Sequence, residues 1–343
     1  MAAFVAFVAA PPAQAMLIKP VFDASITSRS NAAQIEAAFN AAAAQFDTAF
    51  ANPATVNITV SWGSVAGQKL AAGDIGESMD NLSGYYSYAS LVGYLTSKSK
   101  SNPADTALAL AVSHLPKTDP TKLNQFEIPY AEAKAIGLLP SSLPMMDGYI
   151  GFSSTSAFDF NPVGGVTAGA YDFQGLAAHE IEEVLGRVTA LQSATPQWAT
   201  PFDLYRYAAA NTPGFSYAKP AYFSINGGLT SLGSFNISGG GDRSDWQTLT
   251  GSHDLQNAYL STGVTLGLTN SDLTALDVLG WGLGTLSNTT LSATGPLSSK
   301  VSAALSAVPE PETWTTLCFG LGLMGWVLRG HRRVHASAAR AQY

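Results

Sequence analysis

His179, Glu180 and Glu183 fall within one run, His179-Glu180-Ile181-Glu182-Glu183-Val184-Leu185-Gly186-Arg187. In an α-helix, positions i and i+4 lie one above the other on the same face, so this spacing aims the His179 imidazole and the Glu183 carboxylate at one point. Both are ligands for a divalent ion, zinc foremost and harder ions after it. Glu180, one step round the helix, would reach a water on that ion and act as general base, which is metal-assisted hydrolysis. The competing reading is an amphipathic helix whose solvated face carries Glu180, Glu182 and Glu183. Gly175-Leu176-Ala177-Ala178 before the run and Ile181, Val184 and Leu185 within it argue for burial. Carboxylates crowded on a buried turn repel one another unless a cation sits among them.

Such a site needs a third donor. The body of the chain has three histidines, His114, His179 and His253. Asp203, in Pro201-Phe202-Asp203-Leu204-Tyr205-Arg206, is a lone carboxylate among apolar and aromatic residues, a setting in which it must be paired with a metal or an arginine. Asp203 is therefore the expected third ligand, with Arg206 or Arg187 as the partner if it is structural. His253 is the rival ligand, and His114 reads as a helix-end or surface histidine. The run Gly239-Gly240-Gly241-Asp242-Arg243-Ser244-Asp245 offers oxygens for calcium but lacks the glutamate of a standard calcium loop, so it reads as a polar turn. Arg187 and Tyr205 are both candidate donors to an oxyanion. With His, Glu and Asp around a dication the charges cancel, which weakens acidification of a bound water and predicts slow turnover or a harder ion than zinc.

The elements that must position these residues follow from periodicity. Asn31 to Phe50 is Ala-rich, with Ile35, Phe39, Phe46 and Phe50 at helical spacing. Ala54 to Trp62 alternates with Val56, Ile58 and Val60 on one face, a half-buried strand. Residues 81–95 are tyrosine-rich. Asn102-Pro103 opens an expected helix through Ala111, and another spans 129–137. Asp147 to Ser153 reads as a strand. Tyr171 to Leu185 is the helix carrying the motif, closed by Gly186. Strand-like runs follow at 203–208 and 220–225, then an Asn226-Gly227 turn into a strand at 229–235. Ser271 to Leu279 is a final helix with Ser271 as its cap and Asp272 in its first turn. This order predicts an α+β fold with a mixed sheet, a central helix and an irregular C-terminal part.

The two ends carry addresses. Met1 to Ala10 is apolar and leads to Ala13-Gln14-Ala15, the pattern of a secretory signal cleaved after Ala15. Residues 16–286 then form the body. Residues 287–307 are a Ser/Thr/Ala-rich spacer without aromatics. Val308-Pro309-Glu310-Pro311-Glu312 precedes an uncharged stretch at 313–328 flanked by Trp314 and Trp326, which reads as a membrane-spanning segment. Arg329, His331, Arg332 and Arg333 follow, and 334–343 is an expected cytoplasmic tail. Before residue 308 there are 13 Lys and Arg against 22 Asp and Glu, a net of −9. That balance argues against nucleic acid as a partner. The single cysteine, Cys318, lies in the apolar stretch, so the body has no internal disulfide.

The tail over 308–333 resembles the PEP-CTERM sorting signal: a Pro-Glu-Pro motif, an apolar helix and an Arg-rich end. The resemblance implies a Gram-negative bacterium, processing by an exosortase-type enzyme, and delivery to the cell surface or exopolysaccharide matrix. His179-Glu180-Ile181, a ligand position at 183, then Leu185-Gly186, resembles the active-site helix of the metzincin metallopeptidases. Asp272-Leu273-Thr274-Ala275-Leu276-Asp277-Val278-Leu279-Gly280-Trp281 resembles the C-terminal helix of their serralysin-like members. The chain is thus similar to PEP-CTERM bacterial metalloproteases, with Glu183 in place of the second histidine and Thr189 where the third ligand falls. The resemblance implies a zinc-dependent endopeptidase acting on a protein or peptide. A non-catalytic surface or matrix protein that keeps a peptidase-like fold is the alternative.

Overall fold

The computed structural model describes residues 16–191 and 194–284. The expected signal, spacer, membrane segment and tail lie outside those residues. Among the described residues, no helix is long and apolar enough to cross a membrane. The fold mixes helices with several small sheets.

The main sheet has four strands. β1 (Leu17–Phe22), β2 (Thr55–Trp62), β3 (Gly76–Asp80) and β4 (Gly148–Phe152) are arranged in the order β1-β2-β4-β3. β1, β2 and β4 are parallel, and β3 runs antiparallel along β4, with Ser78 opposite Ile150. Val56, Ile58 and Val60 are buried, as the alternation in β2 predicts.

Helix α1 (Ala32–Ala49) buries Ile35, Phe39 and Phe46 from the stripe read in the sequence. It packs against helix α2 (Phe173–Val184), which carries the motif. Between these helices and the sheet lies an aromatic core in which Phe152 contacts Phe173 at 4.5 Å and Phe39 at 6.3 Å between ring centroids.

A second apolar cluster joins helices at Tyr88–Ser101 and Thr106–His114 through Leu91, Leu95 and Leu108. The first of these was only a tyrosine-rich segment in the sequence. Its Ser, Gly and Tyr content favours helix weakly, and Leu91 and Leu95, with a Ser87 cap donated to by the Ser90 amide, hold it. Asn102 closes that helix, and Asp105 caps the next by accepting from the Leu108 amide at 2.9 Å.

Beyond α2 the structure is irregular, as expected. Residues 201–205 form a short 3-10 helix instead of a strand, and a small antiparallel sheet is built from Arg206–Ala209, Thr212–Pro213, Tyr222–Phe223 and Gly233–Ser234. The final helix spans Asn270–Leu276, with Thr269 as its cap; Ser271 instead donates to the Leu232 carbonyl at 2.5 Å. A kinked turn, Asp277–Trp281, then tucks Trp281 under α2, where its indole N–H donates to the Leu185 carbonyl at 2.8 Å.

Candidate metal centre

α2 starts where Asp172 accepts from the Gly175 amide at 3.0 Å. It stops at Gly186, which has φ +113°, a left-handed conformation that a side chain resists. A Cβ there would also come within 2.8 Å of Glu132 Oε2. From Gly175 to Val184 every residue is buried. The acidic face of the motif is therefore turned inward.

His179 and Glu183 converge as their spacing requires, with Nε2 and Oε1 3.9 Å apart. Nδ1 of His179 lies 2.7 Å from the Leu255 carbonyl. A carbonyl only accepts, so this contact places a proton on Nδ1 and turns Nε2 toward Glu183 and Asp245. Glu183 Oε2 accepts from Ser78 Oγ of β3 at 2.6 Å, which turns Oε1 toward the histidine. Glu180, wholly buried, lies against Gly76 of the same strand, and a Cβ at 76 would collide with its Oε1.

The third residue of the cluster is Asp245. Its Oδ1 is 4.0 Å from His179 Nε2, and one ligand atom from each of His179, Glu183 and Asp245 lies within 4.8 Å of the other two. Asp203, the expected ligand, belongs to a different structure. Its Oδ1 accepts a short hydrogen bond from Thr189, and its Oδ2 accepts from the amides of Thr200 at 2.9 Å and Ala190 at 3.2 Å. It closes a capping box and ties the two ends of the segment after α2 together. Thr189, at the other position of interest, is its partner. His253 is exposed, with Nδ1 3.0 Å from the Thr265 carbonyl, and His114 lies at the end of its helix.

The donor set suits a divalent ion. Ligand atoms about 2.1 Å from an ion at tetrahedral angles stand about 3.4 Å apart, so the observed triangle would have to contract to hold one. Asp245 is wholly buried, with His179 Nε2 4.0 Å and Arg187 Nη1 3.7 Å from its Oδ1. A buried carboxylate is costly unless a cation answers it. Burial raises Asp245 to about 6, opposed by His179 and Arg187. Burial and the charge of Asp272 push Glu182 well above the usual range, opposed by Arg187.

Neither candidate oxyanion donor is free for that role. Tyr205 is buried with its hydroxyl 3.0 Å from the Val278 carbonyl, and Arg187 is wholly buried and turned toward Glu182 and Asp245. Sequence reasoning also missed Ser78 and Gln256, which act through contacts with no local signature. Asp245 did carry a signal, since the Gly239–Asp245 run had been singled out for its oxygens.

Residues 307–333 match the family model for the PEP-CTERM protein-sorting motif. No curated protein and no solved structure matches the chain. The match defines a class first, that of exported proteins sorted to the cell envelope. More particularly, the tail marks this chain for recognition by an exosortase processing enzyme. It covers the address and leaves the body to be read from its own residues.

Proposed function

We propose that this protein is an exported metal-dependent endopeptidase with a metzincin-like body, sorted to the cell surface. One observation carries the reading: His179, Glu183 and Asp245 converge from two distant parts of the chain, with Glu180 beside them on the same helix. His179, Glu183 and Asp245 would hold a divalent ion, zinc or a harder one, which would supply Lewis acidity toward water and a scissile carbonyl. Glu180 takes the proton released on attack and returns it to the leaving amine. The contact with Gly76 limits where its carboxylate can go. One turn before His179, on the same helix, Gly175, Ala178, Leu255 and Leu266 line a cavity of about 300 Å³ that borders the site without reaching its ligands. That cavity shares Gln174 with a groove of about 830 Å³ between α1 and residues 157–170, large enough for several side chains of an extended chain.

A second reading rests on burial. His179 is 2% exposed, Glu183 1% and Asp245 0%, and structural ion sites are closed where catalytic ones keep a position open. A closed ion site would hold the C-terminal part on α2 without turnover. The full chain loaded with Zn²⁺ separates the two readings when given a casein digest and a peptide library. The peptidase reading expects chelator-sensitive cleavage that falls about 100-fold or more in Glu180→Gln while Zn²⁺ stays bound. Stoichiometric Zn²⁺ without cleavage by the wild type assigns the closed structural site.

A further inference from the structure

We propose that Arg187 is the positioning residue of this metal centre, fixing Asp245 as the third donor and, through Gln256, fixing the backbone of His179. The inference rests on the metal-site reading above and adds how the site is held together. Arg187 Nη1 lies 3.7 Å from Asp245 Oδ1, the same oxygen that faces His179. Nη1 also donates a short hydrogen bond to Gln256 Oε1, and Gln256 Nε2 donates to the His179 carbonyl at 2.9 Å. One guanidinium nitrogen, Nη1, therefore leads to two ligand residues, to Asp245 directly and to His179 through Gln256.

Arg187 is able to do this because Gly186 reverses the chain. The Arg187 amide returns to the Glu182 carbonyl at 3.1 Å, and its side chain runs back under the helix it has just left. There it lies over the Trp246 ring, 4.2 Å from the centroid, and Trp246 is the residue after Asp245. Asp245 itself belongs to no regular strand or helix, so it is held by neighbours of this kind.

Charge gives the same answer. A guanidinium keeps its proton even when buried, so it needs anions around it. Its Nε lies 3.5 Å from Glu182 Oε2. Partners of this sort around metal ligands are worth about 10- to 100-fold in affinity.

The test uses the full chain with Zn²⁺ as the probe, by calorimetric titration and by thermal unfolding with and without the ion. Arg187→Lys and Arg187→Gln are expected to bind Zn²⁺ about 10- to 100-fold more weakly and to lose much of the Zn²⁺-induced rise in Tm. A fall in Tm equal with and without Zn²⁺, at unchanged affinity, overturns the proposal and makes Arg187 a packing residue only. If neither Arg187 variant folds, Gln256→Ala carries the test, since it cuts only the branch to His179; weaker Zn²⁺ binding supports the relay and unchanged affinity overturns it. Asp245→Asn serves as the control for the underlying site. If it keeps wild-type affinity, the metal centre itself is wrong; if it alone loses Zn²⁺, only the role of Arg187 is wrong.

Discussion

Gly76 lies directly against Glu180, close enough that a Cβ at position 76 would overlap the carboxylate. Two residues on, Ser78 of the same strand donates to Glu183. Alternate residues of β3 point to one face, and positions three apart on α2 share a face, so the strand meets the helix at both candidate carboxylates. The antiparallel strand β3 is thereby part of the site as well as part of the sheet.

Gly76→Ala tests this relationship. The methyl group would run into the Glu180 carboxylate first and Leu176 second, while the three proposed ligands are untouched. Cleavage is expected to fall about 100-fold, the cost of displacing a reacting group by about 1 Å. Zn²⁺ affinity is expected to stay at the wild-type value. Measuring kcat beside calorimetric Zn²⁺ binding checks it, and equal losses in both would show that Gly76 supports the fold and not the position of Glu180.

Asp203 and Asp245 should separate cleanly. Asp203→Asn weakens the bonds to Thr189, Ala190 and Thr200, so it is expected to cost about 1–3 kcal/mol of stability with Zn²⁺ stoichiometry intact. Asp245→Asn removes a charged donor and is expected to lose Zn²⁺ at equal protein concentration. Denaturant unfolding and metal analysis of the two variants, side by side, decide between them. The opposite pattern would restore Asp203 as the ligand.

These two aspartates also show how far the sequence could be read. His179 and Glu183 were legible because one helical turn joins them, and helical geometry is local. The same logic found α1 and β2, whose apolar residues repeat at fixed spacing. Asp203 was singled out because a buried carboxylate needs partners, and that physics held. Its partners proved to be hydroxyls and amides of the segment it closes, with the charge of Arg206 beside them, which no spacing rule distinguishes from an ion. Asp245 arrives from far along the chain through a turn without periodicity, held by Arg187 and by the packing of Trp246. The C-terminal strands, several only two residues long, are equally silent in sequence because tertiary contacts fix them.

A final prediction concerns pH and lies away from the metal site. Asp277, beside the Asp105 that caps its helix, is pushed up to about 7 by burial first and by the charge of Asp105 second; the two side chains share a hydrogen bond. Asp277 Oδ1 also accepts from the Leu283 amide at 2.9 Å. The folded protein therefore holds a proton here that the unfolded chain releases near its ordinary value of 3.8. Between those values folding takes up a proton, so this contribution to stability is complete below about 4 and is lost as pH rises through about 7. From pH 5 to pH 8 the loss amounts to about 2–3 kcal/mol from this one group. Asp277→Asn keeps the shape and the acceptor for Leu283 but cannot ionise, so its stability is expected to decline less over that range. Urea unfolding of both proteins at pH 5 and pH 8 gives the difference of differences, which cancels the titrating groups other than the coupled Asp105. Parallel declines in the two proteins would mean that Asp277 is already ionised in the folded state.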